Sequence, residues 1–421
     1  MTQKIELFPG ITLSCFPADR FKQACISVQL VRPMCREEVS KNALLPAVLL
    51  RGSRLHSDLR SITQYLDDLY GADISAMVRR VGDYQTTGFG CGYIEDRFTL
   101  GGESVLAPLT DFIRELLLDP LTENGVFCAD FVDGEKQNLI SAIESTKNDK
   151  RAYAVNRLLR ILCKDDSFGI PRLGDREQVE EITPATLYAH YEKILRESRI
   201  DCFYVGSADP KDVASLLKPV FAGIARDYHP LPPQKALASG AGEDVTERMD
   251  VAQGKLCMGF TTPITLRTPE FAVMQVCNTV LGAGMTSKLF MNIREKMSLC
   301  YDIGSSYQGS KGIVVVTAGI DCDKDKLVRE KVLEELEHCR NGEITPEELE
   351  GAKQALISGL GAVHDSAGAI ENYYATSALS GLALTPEEYK QAVEQVTAEQ
   401  VAAVARTLKA DTVYFLKGVQ A

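Results

Sequence analysis

The length, composition and charge of the chain exclude several classes of protein. Its 421 residues are too many for one ordinary core and suit two domains of about 200 residues each. A formal net charge of -12 argues against nucleic acid, whose phosphates require a basic surface. No apolar run approaches the ~20 residues that cross a bilayer, and residues 1–9 lack the apolar core of a signal peptide. We therefore expect a cytoplasmic protein that binds neither nucleic acid nor membrane.

The first half of the chain opens with a strand pattern and closes with a capped helix and a strand. Apolar and β-branched residues over 24–31 predict the opening strand. Thr183 followed by Pro184 is typical of a helix start, and residues 201–206 predict the closing strand. A stretch that begins with three prolines and continues with small residues, 229–248, then predicts an extended linker.

The second half follows the same plan. Strand patterns occur over 255–260 and 312–320, and Thr345 followed by Pro346 starts a helix. Twelve cysteines stand singly along the whole chain, and no pair has the C-x-x-C spacing of a thiolate zinc site. Without a signal peptide, we interpret them as reduced, buried thiols.

Two pairs of similar segments recur in the same order in both halves. Residues 136–141 match 353–358, and residues 179–187 match 393–401. The offsets, 217 residues for the first pair and 214 for the second, are nearly equal. Chance similarity between amphipathic helices is the alternative, but nearly equal offsets favour a duplicated domain.

We therefore predict an α+β protein made of two duplicated domains. Each domain is expected to be an antiparallel sheet with helices packed on one face. The first is predicted over residues 1–228 and the second over 249–421, with the proline-rich linker over 229–248 between them. An extended linker of this kind would let the two domains face each other across a cleft.

The second half also carries a pattern that resembles a known peptidase family. Residues 281–290, followed by Arg294 and Tyr301, are similar to the M16 metallopeptidases, which include insulinase, pitrilysin and the mitochondrial processing peptidase. Three segments of the first half agree with this family: 51–53, 66–72 and 168–174. The resemblance covers essentially the whole chain and implies the duplicated α+β fold predicted above.

The resemblance implies a zinc site whose ligands this chain lacks. In active members, an inverted His-x-x-Glu-His motif on a helix supplies two ligands and the general base, and a downstream Glu completes the site. Aligned on Gly52, the first ligand, the base and the second ligand fall on Ala43, Pro46 and Ala47, and the downstream ligand falls on Ala142. None of these side chains can bind zinc. We therefore predict no metal in this chain and no hydrolysis by it alone.

A different alignment does not rescue the motif. Shifted by one residue, the same positions become Asn42, Leu45 and Pro46, which are no better. Pro46 would also cost about 3 kcal/mol inside a helix, unless the helix begins near it. The five histidines offer no substitute, because none pairs with another at ligand spacing, and we predict that they are exposed or cap helices: His56, His190, His229, His338 and His364.

The substrate-binding half of the family site is intact. The resemblance implies that Arg294 holds a peptide carbonyl or carboxylate with its planar fork of donors. It implies that Tyr301 donates its hydroxyl to the oxyanion that forms on the scissile carbonyl. The alternative is structural, with Arg294 in an internal ion pair and Tyr301 opening a buried strand.

Two-chain members of the family suggest how half a site could function. In these, one chain carries the His-x-x-Glu-His motif and the other supplies the Arg and Tyr. The resemblance therefore implies that this chain is the non-catalytic, substrate-binding subunit of a heterodimeric zinc peptidase, with zinc in the partner. It looks like the bacterial subgroup linked to modification of elongation factor P.

Three alternatives stay open from the sequence. Degenerate M16 chains also serve as scaffold subunits, so the chain could be purely structural or bind peptides without any role in hydrolysis. A self-sufficient hydrolase with a relocated site would contain stoichiometric zinc. The isolated chain could also form a homodimer.

Overall fold

The computed structural model describes residues 3–238 and 240–419. The first half contains β1 Gln3–Phe8, β2 Ile11–Pro17, β3 Gln23–Pro33, α1 Val39–Leu49, α2 Leu59–Asp68, β4 Asp73–Val81, β5 Tyr84–Ile94, α3 Leu106–Leu118, β6 Thr122–Glu123, β7 Val126–Phe127, α4 Ala129–Ser145, α5 Lys150–Leu162, α6 Arg176–Glu180, α7 Pro184–Glu197, β8 Arg199–Gly206 and α8 Pro210–Phe221. The second half contains β9 Asp244–Met249, β10 Gly254–Thr261, α9 Phe271–Asn278, β11 Asp302–Gln308, β12 Ile313–Ile320, α10 Asp325–Arg340, α11 Pro346–Gly361, α12 Ala367–Ser380, α13 Pro386–Glu394, α14 Ala398–Ala405 and β13 Lys409–Gly418.

Two π-helical segments, Thr279–Ala283 and Leu289–Lys296, follow α9. Short 3₁₀ turns complete the described structure at Asp96–Phe98, Leu100–Gly102, Ser167–Gly169 and Ala362–His364. Over the described ranges, none of the helices combines the length and the apolar composition that a bilayer crossing requires.

The first compact unit is built on a six-stranded sheet with the order β1-β2-β8-β3-β5-β4. Its neighbouring strands are antiparallel except for β2 and β8, which run parallel. Alternate residues of β3, Ile26, Val28 and Leu30, are buried and belong to the large core shared with α1, α3, α7 and α8. The opposite face of the sheet is covered by α12, whose Ile370 packs with Phe203.

The second compact unit repeats this plan with a five-stranded sheet of order β11-β12-β10-β13-β9, in which only β13 and β9 are parallel among the described pairs. One face packs against α9, α10 and α14 in a second apolar core. The other face carries α5, whose Leu158 and Leu162 pack with Cys257 and Tyr414. The α+β prediction with antiparallel sheets is confirmed, and each sheet has one helix on its second face in addition to those predicted on the first.

The compact units differ from the predicted sequence ranges in two segments. Residues up to Glu144, Arg172–Pro233 and His364–Leu379 form the first unit, and Ser145–Pro171, Gln234–Val363 and the residues from Ser380 onward form the second. Helix α5, from the first half of the sequence, thus belongs to the second unit. Helix α12, from the second half, belongs to the first unit. The predicted linker also ends early, because residues 244–249 pair with β13 as strand β9. An apolar helix face packs where it can bury its side chains against a surface of matching shape. Closeness in sequence does not determine where that surface lies.

Candidate functional site

The positions that the resemblance assigns to zinc ligands carry only alkyl groups and a proline ring. Helix α1 places Ala43 and Pro46 in the buried part of the first unit and leaves Ala47 half-buried, while Ala142 is exposed on α4. Without a nitrogen, oxygen or sulfur atom on any of these side chains, the set does not fit zinc. Nor do residues 3–238 and 240–419 contain a group of three or more His, Cys, Asp or Glu that could hold a metal ion.

Pro46 lies inside the helix, where a proline is costly, rather than near its start. Helix α1 starts at Val39, so Pro46 removes the N–H that would bond to the carbonyl of Asn42. That carbonyl instead accepts a hydrogen bond from the hydroxyl of Thr87 on β5, at 2.7 Å. The proline is tolerated because a neighbouring strand satisfies the backbone group that it leaves unpaired.

Asn42 anchors a buried polar cluster beside the vacated metal positions. Its side-chain nitrogen lies 2.9 Å from Gln85 Oε1, and its oxygen lies 2.7 Å from Nε2 of His190. Gln85 in turn donates to the carbonyls of Val39 and Arg172. Burial lowers the pKa of His190 to about 4, so the ring is neutral at pH 7 and serves this network.

Of the five histidines, which were predicted to be exposed or to cap helices, His190 is buried and three others are partly buried: His56, His338 and His364. His190 is only 6% exposed, because its helix turns it toward Asn42 rather than toward solvent. The His56 ring lies 2.9 Å from Glu115 Oε1, and Ser53 donates to the same carboxylate. His229 is exposed, as predicted. A polar residue within an apolar helical stretch, such as Asn42, was the available sequence signal for the cluster.

The second unit presents Arg294 at the C-terminal end of the π-helical segment Leu289–Lys296. Its Nε donates to the carbonyl of Tyr301 at 3.0 Å, and its Nη1 lies 3.3 Å from Glu295. The guanidinium also stacks over Phe290, 4.6 Å from the ring centroid. The side chain is 38% exposed, so its ion pair with Glu295, the kind of internal pair that the structural alternative expects, lies at an accessible position.

Tyr301 is 60% exposed and stands just before β11. Its hydroxyl donates to Asp321 Oδ1 at 3.0 Å, and this hydrogen bond raises the pKa of Tyr301. The backbone N–H of Tyr301 bonds to the carbonyl of Gly319, which fixes the residue against the end of β12. The ring therefore projects into solvent from a backbone that the sheet holds in place.

A reversal of the chain brings the Arg294 side chain to the backbone of Tyr301. Ser298 adopts a left-handed conformation with φ of 52°, and its N–H bonds to the carbonyl of Arg294. The N–H of Leu299 bonds to the carbonyl of Ile293, which closes the turn. The glycine-rich stretch before it permits a close approach, because a Cβ on Gly282 would lie 2.7 Å from Leu289 Cδ1.

Four polar residues near this site were missed by reasoning from the sequence. Asp321 accepts the Tyr301 hydroxyl and is itself 2.8 Å from Lys324. Lys288, almost completely buried, pairs with Glu348 of α11 at 2.9 Å. The contacts of Asp321 with Tyr301 and of Lys288 with Glu348 have no sequence signal, because each joins residues from separate elements.

Comparisons with known proteins agree with the fold and with the state of the site. The family described as "Peptidase M16 inactive domain" matches residues 181–356. The probable inactive metalloprotease YmfF of Bacillus subtilis (strain 168) is 28% identical over 411 residues, which cover 98% of this chain and 96% of that protein.

Solved structures show the same likeness over the whole length. A conserved protein from Enterococcus faecalis V583 matches with a TM-score of 0.90 and 28% identity, covering 100% of this chain and 99% of that one. A peptidase M16 inactive domain from Pseudomonas fluorescens matches with a TM-score of 0.81 at 19% identity, covering 99% and 98%, and shares the fold. The chain is therefore similar over its full length to a probable inactive metalloprotease, and its residues 181–356 resemble the inactive domain of the M16 peptidases.

Proposed function

We propose that this chain is the non-catalytic, substrate-binding subunit of a heterodimeric M16 zinc peptidase in the cytoplasm. A partner subunit with an intact His-x-x-Glu-His motif would hold the zinc, and this chain would supply Arg294 and Tyr301. The supporting observation is that both side chains are accessible to solvent in the second unit, where Arg294 donates to the backbone carbonyl of Tyr301, while the positions assigned to zinc ligands are alkyl.

Arg294 has the chemistry to hold a peptide carbonyl or carboxylate. Among the residues that the structure describes, only the exposed Glu295 engages its Nη1, and exposed ion pairs contribute little free energy. A substrate oxygen can therefore replace Glu295 at small cost. The bond from Nε to the Tyr301 carbonyl would keep the guanidinium plane oriented during that exchange.

Tyr301 would contribute its hydroxyl to a developing oxyanion. In the free subunit that hydroxyl donates to Asp321, so the proposal requires it to turn from Asp321 to the substrate. The bond given up is exposed to solvent, where the net contribution of a hydrogen bond is small. The new bond is strongest when charge has developed on the substrate oxygen, which favours the transition state over the bound peptide.

A second candidate is a scaffold subunit that binds its partner or a peptide without a role in hydrolysis. One specific observation favours it: Tyr301 and Arg294 both already have acceptors within their own unit. The two candidates differ in what substitution of these residues does to hydrolysis by the complex.

The test begins with co-purification of this chain with an M16 chain that carries the intact motif, followed by peptide hydrolysis assays. Tyr301→Phe removes only the hydroxyl and should lower kcat about 100-fold, the usual effect of removing one oxyanion donor. Tyr70→Phe is the matched control, because Tyr70 is also exposed and donates to a carboxylate, Glu103. Arg294→Ala should reduce kcat/KM, with Arg406→Ala, at the exposed arginine that caps the C-terminal end of α14, as its control. Hydrolysis unchanged by Arg294→Ala and Tyr301→Phe would establish the scaffold role instead.

Two further measurements examine the chain alone. Metal analysis of the purified protein should find zinc well below one equivalent, and stoichiometric zinc would contradict the proposal. Light scattering should show whether the isolated chain forms a homodimer, and addition of the partner should convert it to a heterodimer.

A further inference from the structure

Asn292 is the side chain that fixes the π-helical segment bearing Arg294. Its Nδ2 donates to Glu335 Oε1 at 2.9 Å, and its Oδ1 accepts from Lys296 Nζ at 2.9 Å. Its backbone carbonyl accepts from the N–H of Met297 at 3.0 Å, five residues along the chain. That spacing is the π-helical bond, so Asn292 anchors the turn that contains Arg294 through both its backbone and its side chain.

Glu335 is an unusual residue for the interior of a helix packing face. It is 5% exposed on α10, among the buried apolar residues Val332 and Leu336. Its Oε2 is buried and has no hydrogen-bond partner within the described part of the chain. A buried carboxylate with one unpaired oxygen costs stability, and an apolar residue there would avoid that cost. The presence of such a group points to a requirement other than stability.

The requirement that we consider is the position of Arg294, two residues after Asn292. The π-helical turn carries Arg294 to the point where its Nε reaches the Tyr301 carbonyl across the reversal at Ser298. If Asn292 lost its anchor on α10, the turn could relax to the commoner α-helical spacing. The N–H of Met297 would then bond to Ile293, and the Arg294 side chain would rotate away from Tyr301.

We propose that Glu335, acting through Asn292, is a positioning residue for Arg294. This inference rests on the proposed function for its catalytic consequence, but its structural part can be tested in the chain alone. The readout is the Nε–H cross-peak of Arg294 in a sample labelled with ¹⁵N-arginine, assigned by its loss in Arg294→Lys. Glu335→Ala should shift this peak toward the position of a solvated arginine and increase its exchange with water.

Two comparisons separate positioning from general damage. Glu335→Gln keeps the acceptor for Asn292 and removes the buried charge, so it should leave the Arg294 peak in place. Glu330→Ala is the control on the same helix, at an exposed position. If Glu335→Ala fails to fold, Asn292→Ala removes the same hydrogen bond by changing the less buried of the two partners. An Arg294 peak that Glu335→Ala or Asn292→Ala leaves unmoved would overturn the inference.

Kinetics of the complex with the partner provide the second readout. Glu335→Ala should lower kcat/KM about tenfold, because small displacements of a positioning group are costly, and the loss should largely disappear in an Arg294→Ala background. If Glu335→Ala lowers kcat/KM equally with and without Arg294→Ala, Glu335 has only a structural role. If Arg294→Ala itself leaves hydrolysis unchanged while the cross-peak moves as expected, the proposed function fails and the positioning of Arg294 stands.

Discussion

Removal of the Thr87 hydroxyl tests how the chain accommodates a proline inside its first helix. Thr87 is 2% exposed and its hydroxyl is the donor to the Asn42 carbonyl that Pro46 leaves without its helical partner. Thr87→Val keeps the shape of the side chain but leaves that carbonyl buried and unpaired. We expect a loss of about 2 kcal/mol of unfolding free energy, the usual cost of such a group. For a unit of this size the loss corresponds to a fall in Tm of about 4–8 °C.

A double-mutant cycle isolates the cause. In a Pro46→Ala background the new N–H can bond to the Asn42 carbonyl, so Thr87→Val should then cost less than about 1 kcal/mol. Thr86→Val is the matched control, because Thr86 is also buried and its hydroxyl has no partner within the described residues; it should be neutral or stabilising. Calorimetry and urea unfolding measure all four variants. Equal costs of Thr87→Val in the two backgrounds would refute the explanation.

Three other substitutions have defined outcomes in urea unfolding. Ser298→Gly should raise stability by up to about 1 kcal/mol, because glycine adopts the left-handed backbone found there without a Cβ penalty, and a loss would contradict this. Burial lowers the pKa of His190 from 6.5 to about 4, so the unfolded chain takes up this proton first as the pH falls. Stability should therefore drop between pH 6.5 and 4, and the same slope in His190→Gln would disprove the assignment. Lys311→Met removes the buried ammonium that lies 2.8 Å from Asp166 and should lower the free energy of unfolding by about 3 kcal/mol. If the loss comes from the unpaired carboxylate, adding Asp166→Asn should restore part of it.

Much of the architecture was predictable because it depends on local sequence patterns. Repeated segments at nearly equal offsets indicated a duplicated α+β fold, and capping residues such as Thr183 and Thr345 marked helix starts that the structure confirms. These signals are local because caps and periodic burial depend on a few neighbouring residues. The family resemblance identified which positions of α1 correspond to zinc ligands and pointed to Arg294 and Tyr301 as substrate-binding residues. The roles of these two residues stay predictions.

Contacts between distant segments could be learned only from the tertiary structure. The sequence by itself determined that Ala43, Pro46 and Ala47 bring no metal ligand to α1, since side-chain chemistry is independent of the fold. Only the folded chain decided that Thr87 donates to the Asn42 carbonyl left unpaired by Pro46, and that Glu335 accepts from Asn292. It also decided that α5, from the first half of the sequence, packs in the second unit and that α12, from the second half, packs in the first. A hydrogen bond or a packed face depends on which atoms meet in space, and residues 45 positions apart, such as Asn42 and Thr87, meet only after the sheet has formed.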